Sequence, residues 1–140
     1  MELENFIKFN EVEYTRDIIS EKELQELSSK IGVEFGVQLK EYILKYGYLA
    51  FEDVEMYGIN SRQNEESDMI KQTKYLHEWF EKTIGLIAIE NQGDGDYYFV
   101  DKEDNVYRYN LDLKEPMAQN IKLFDYILKR FEEAKQNIES

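Results

Sequence analysis

Between Ile84 and Leu111 the chain reads IGLIAIENQGDGDYYFVDKEDNVYRYNL, and this stretch constrains the fold more than any other. An apolar run, a glycine–aspartate corner, an aromatic run, an acidic turn and a second aromatic run follow one another with almost nothing between. Side chains on a strand alternate between two faces, so apolar alternation broken by turn residues predicts antiparallel strands. Gly93-Asp94-Gly95 and Asp104-Asn105 supply the residue types that tolerate a positive φ at such turns. From Glu90 to Asp104 six carboxylates (Glu90, Asp94, Asp96, Asp101, Glu103 and Asp104) face a single base, Lys102. An acidic, aromatic sheet with no obvious catalytic set reads as a surface that holds a partner rather than one that transforms a substrate.

Flanking segments carry helix signals. Leu3, Phe6 and Ile7 have helical spacing, whereas Glu11–Ile19 reads as either a loop or an edge strand. Ser20 and Glu23 form a capping box, Ile19 and Leu24 a hydrophobic staple, and Gly32 a left-handed stop. Leu39, Tyr42, Ile43 and Tyr46 make the stripe of a helix from about Val37 that ends at Gly47. Tyr48–Phe51 and Val54–Ile59 read as short strands around Glu52 and Asp53, and Asn60–Ser67 as a loop. Met69–Thr83 is predicted helical, with Ile70, Thr73, His77, Phe80 and Ile84 on one face. Asp112–Gln119, which holds the only proline, reads as a loop before a last helix from about Asn120, with Ile121, Phe124, Leu128 and Phe131 inward. Helices, then strands, then a helix predict a single α+β domain over residues 1–140.

Composition narrows the chemistry. Thirty acidic against 17 basic residues give a net charge of −13, which repels nucleic-acid phosphates and anionic membranes and attracts basic partners. The same charge also serves solubility. Without cysteine there are no disulfides, no thiol nucleophile and no cysteine-ligated metal. The acidic start MELENFIKFNE lacks the basic region of a signal peptide, and a cytoplasmic location is expected.

His77 is the only histidine, and its helical spacing beside Thr73 and Phe80 places it at the core edge rather than in a catalytic set. An EF-hand loop counted from Asp94 or Asp101 puts Phe99 or Val106 where glycine is required, so both frames fail. The pairs Glu52/Asp53 and Asp94/Asp96 invite comparison with carboxylate hydrolases, but nothing marks a nucleophile or an oxyanion hole. No enzyme activity, metal or cofactor is therefore expected. Tyr97, Tyr98, Phe99, Tyr107 and Tyr109 divide between core and surface. If Phe99 points inward, Tyr98 points outward among aspartates, as an interface for a basic protein would need. Cross-strand pairs that merely stabilise the sheet are the alternative.

The order of segments resembles the SUKH superfamily, the Smi/Knr-like domains of bacterial toxin-immunity proteins and fungal cell-wall regulators. The resemblance covers about Ser20 to Phe131. It is carried by Glu23–Ile31 followed by VEFGVQLKEYILKYG, by LIAIENQGDGDYYFVDKEDNVYRYN, and by MAQNIKLFDYILKRF. Phe35-Gly36 and Tyr46-Gly47 stand where the family usually has Leu-Pro and Asn-Gly. The resemblance implies a mainly antiparallel central sheet flanked by helices, and a non-enzymatic role. A bacterial member would bind and neutralise a toxin, often a nuclease; a regulatory scaffold is the other role within the family. The residues themselves, not the family, nominate Glu52, Asp53, Asp94, Asp96, Tyr98, Asp101, Glu103 and Asp104 as partner contacts.

Overall fold

The computed structural model describes residues 2–15, 19–59 and 65–139. Local signals set most of the element ends. Helix α1 (Glu2–Phe9) leads to the two-residue strand β1 (Glu13–Tyr14), so the Glu11–Ile19 segment is an edge strand in the part described. The Ser20–Glu23 capping box closes reciprocally at the start of α2 (Glu21–Ile31), and Gly32 ends it at φ 69°. Helix α3 (Val37–Lys45) begins at Gly36, which has no side chain to cap it. Strands β2 (Leu49–Phe51) and β3 (Val54–Met56) follow, the second shorter than its apolar run predicted. Of the loop predicted over Asn60–Ser67, residues 60–64 lie outside the described residues, and Glu65–Ser67 form a 3-10 turn.

Helix α4 (Met69–Trp79) is capped by the Asp68 carboxylate, which accepts the Lys71 N–H. It ends four residues earlier than its periodicity suggests. Phe80 leaves helical geometry (φ −132°, ψ 88°), and Glu81–Thr83 turn as a 3-10 segment held by the Thr83 hydroxyl donating to the Phe80 carbonyl. Ile84 is consequently exposed rather than on a core face. Then come β4 (Ile87–Asn91), β5 (Tyr97–Val100), β6 (Asn105–Tyr109), β7 (Met117–Lys122) and α5 (Leu123–Glu139).

Strand β7 is the main departure from the sequence reading, which placed a loop and a helix start there. Most of its side chains are exposed, so it lacks the alternation that marks a half-buried strand. It exists because its backbone completes the β6 edge, with a register irregularity between Asn105 and Tyr107. Asn120 takes φ 57°, which excludes helix there. Helix α5 starts three residues later, where the Leu123 N–H donates to the Asp104 carbonyl and the Phe124 N–H to Gln38 Oε1.

Two antiparallel sheets result, ordered β1-β2-β3 and β4-β5-β6-β7. A bond from the Tyr57 N–H to the Ile89 carbonyl (2.8 Å) joins them. Helix α5 runs across both: Phe131 lies within ring contact of Phe51 and Phe6, and Tyr126 stacks on Tyr98. On the other face of the larger sheet, Thr73 of α4 accepts the Ala88 N–H, and Phe80 packs on Tyr109. Phe99, Val100, Leu39, Ile43 and Phe131 are fully buried between these layers. No helix among the described residues is long and apolar enough to cross a membrane.

Candidate partner-binding surface

The β4–β5 turn holds three consecutive left-handed residues, Gly93 (φ 107°), Asp94 (φ 54°) and Gly95 (φ 76°). Asn91 Oδ1 accepts the Gly93 N–H at 2.8 Å, and the Asp96 N–H closes the turn onto the Gly93 carbonyl. This thrusts the Asp94 carboxylate into solvent. Asp96 is held differently: Arg108 Nε donates to it at 2.8 Å and Asn110 Nδ2 at 3.1 Å. The pairing raises the Arg108 pKa and leaves little net charge at that point.

The next turn is built from inside. Asp101 accepts the backbone N–H groups of Glu103 and Asn105, the Asn105 amide and the Tyr107 hydroxyl. Partial burial pushes its pKa up, but these bonds favour the ionised form and together hold it below the usual aspartate value. Glu103 is exposed.

Asp104 corrects the sequence reading, which grouped it with surface contacts. It is 4% exposed and takes φ 66°. Its carboxylate accepts the Gln38 and Leu39 N–H groups at 2.9 and 3.0 Å. These are the second and third helical residues of α3, whose N-cap is Gly36. Asp104 therefore does in trans what an N-cap side chain does locally, with a full negative charge at the positive end of the helix. Gly36 is the counterpart, because a Cβ there would stand 2.5 Å from Asp104 Oδ1.

Tyr98 is not the exposed anchor that simple alternation suggests. Its face of the sheet is covered by α5, and its ring stacks on Tyr126 (centroids 5.3 Å apart, planes at 27°), leaving it half-buried. Beneath it lies a group the sequence reading counted only as charge. Glu90, 2% exposed, receives Arg130 Nη2 at 2.8 Å and Nε at 3.1 Å, together with the Tyr126 hydroxyl. Gln92 Nε2 donates to the Tyr126 oxygen. Burial, then the charge of Glu90, drives the Tyr126 pKa far up. The available signal was Tyr126 and Arg130, one helical turn apart on the inward side of α5, opposite a carboxylate that ends an apolar run.

The nominated residues thus separate. Glu52 (φ 55°) and Asp53 are exposed at the β2–β3 turn of the smaller sheet. Asp94 and Asp96 sit at one end of β5, and Asp101, Glu103 and Asp104 at the other. Free charge is concentrated on Glu52, Asp53, Asp94 and Glu103, spread over three turns. Among the described residues no three His, Cys, Asp or Glu side chains are grouped as a metal ion requires. His77 Nε2 lies 2.7 Å from the Leu86 carbonyl, which makes that nitrogen the protonated one and ties α4 to the start of β4. Tyr75 and Trp79, four residues apart on α4, form an exposed ring pair.

The family model SUKH_5, described as SMI1-KNR4 cell-wall, matches residues 3–132, which extends the likeness seen over residues 20–131 back through α1. No curated protein matches the chain.

Proposed function

Because the chain belongs to the SMI1-KNR4 (SUKH) family, we propose that it is a bacterial immunity protein that binds a cognate toxin and neutralises it stoichiometrically in the cytoplasm. The toxin is a basic protein, in this reading a nuclease domain, and no catalysis by the chain is involved. The observation that carries the reading is the set of solvent-facing carboxylates at Glu52, Asp53, Asp94 and Glu103 on a protein of net charge −13. A nuclease holds phosphates with lysine and arginine, so an acidic surface of this kind accelerates encounter and competes with substrate for the same cations. Asp96, paired with Arg108, and Tyr98 border the exposed carboxylates and supply shape more than charge, while Asp101 keeps its charge within its turn. Asp104 has no place in the contact.

Growth rescue tests this directly. Co-expression with a toxin domain encoded beside the gene should restore growth, and a 1:1 complex should be recovered from the rescued cells. Continued killing in the presence of soluble, folded protein would refute the immunity role. The cell-wall wording of the family description favours a second reading, a regulatory module that scaffolds other proteins. That reading predicts a stable complex with a non-toxic partner and no rescue.

A further inference from the structure

A groove between α1 and α5, on a face the sequence reading left unassigned, has the build of a docking site. Its floor is apolar: Leu128 is buried, Phe6 is half-buried against Phe131, and Phe9 at the end of α1 is 76% exposed. An aromatic ring that open at the end of a helix whose other apolar residues face the core buries little in the free protein and gains most when a partner covers it. The groove is shallow and open, about 620 Å³ beside Phe9 and about 510 Å³ farther along α5, the two parts sharing Glu2, Leu128, Glu132 and Gln136.

Its rim is acidic. Glu2, Glu132 and Glu139 line the wider part, and Asp125 and Glu133 the continuation. Against these five carboxylates stand two lysines. Lys135 is turned over the Phe6 ring at 5.9 Å, and Lys129 lines the continuation. Glu133 is already engaged by Arg130 at 3.5 Å, and among the described residues Glu2, Asp125, Glu132 and Glu139 form no ion pair.

We infer that this groove docks a basic amphipathic helical segment of a partner protein, its apolar side on Phe9 and Leu128 and its lysines or arginines on the acidic rim. Charge complementarity selects that occupant: an acidic or neutral helix would leave the rim carboxylates partly desolvated and unpaired. The rim from Asp125 to Glu139 spans about 21 Å of helix axis, enough for a segment of about 14 residues. None of the acidic residues nominated in the β turns lines this groove, and the inference stands whether or not the partner is a toxin.

A fluorescent lysine–leucine peptide of about 14 residues with helical amphipathic spacing, read by anisotropy against the full chain, tests it. Saturable binding that weakens with salt is expected, with about tenfold loss from either Phe9→Asp or Glu132→Lys. Both residues are exposed, so thermal melts of these variants should match the parent. Glu78→Lys, on α4 across the larger sheet from α5, should leave affinity within about twofold. Absence of saturable binding overturns the inference. So does equal binding of a scrambled peptide of the same composition, or equal weakening by Glu78→Lys, since either reports attraction to net charge alone.

Discussion

Replacing Asp104 should destabilise the fold far more than replacing any other acidic residue of the two β turns. Asp104→Ala removes two charge-assisted bonds to the first turn of α3 and leaves the Leu39 N–H buried without an acceptor. Hydrogen bonds to a charged group contribute about 1.5–3 kcal/mol each, and loss of an N-cap about 0.5–2 kcal/mol, so a total near 3 kcal/mol is expected. Alanine at φ 66° adds about 1 kcal/mol of backbone strain. For 140 residues the unfolding entropy is about 0.3 kcal/mol/K, so 3–4 kcal/mol lowers Tm by about 10–14 °C. Asp104→Asn, which tolerates the left-handed region and keeps one acceptor, should cost about half as much. Gly36→Ala should be similarly severe, because its Cβ evicts the Asp104 carboxylate. Once Asp104 is alanine the colliding atoms are gone, so Gly36→Ala in that background should be almost silent. Urea unfolding of the four proteins followed by circular dichroism measures the coupling. Additive costs, or an Asp104→Ala loss below about 0.5 kcal/mol, would refute the trans-cap.

Arg130→Met should cost about 3–5 kcal/mol by stranding the Glu90 charge, and adding Glu90→Gln should recover part of it; a loss at surface-bridge level would contradict the buried pairing. Tyr42 and Tyr126 are held protonated by burial, with folded pKa values raised above the ordinary 10.0. Their contribution is therefore complete below pH 10 and is lost as pH rises beyond it, so the last part of the tyrosinate absorbance at 295 nm, after the exposed tyrosines have ionised, should appear together with loss of circular dichroism. Tyrosinate forming throughout an intact fold would disprove this. Asp101 carries the opposite sign: its folded pKa lies below 3.8, so its contribution is present above that value and fades as pH falls through the lowered one. Asp101→Asn should flatten acid unfolding in that window, which stability measured between pH 2 and 5 will check.

Helix ends and the meander were readable wherever local chemistry decides them. The Ser20–Glu23 box, the Gly32 stop and the left-handed Gly93-Asp94-Gly95 turn each depend on residues close in sequence. Strand β7 was not readable, because its partner is the backbone of β6 and its exposed side chains carry no pattern. The fate of the carboxylates was equally hidden. Asp94 and Asp104 look alike in sequence, yet one points into solvent and the other caps a helix more than sixty residues away. Glu90 and Arg130 meet only because α5 lies across the sheet, which is also why Tyr98 is covered rather than exposed. Turn carboxylates could be nominated from sequence, but long-range packing decides which of them keep their charge for a partner.

Titration calorimetry of the chain with the proposed toxin, at two salt concentrations, is the decisive measurement. A 1:1 complex is expected whose affinity falls as salt rises and weakens about tenfold or more on combined charge reversal at Asp94 and Glu103, with Tm unchanged. Binding indifferent to both salt and those reversals would contradict the proposed contact.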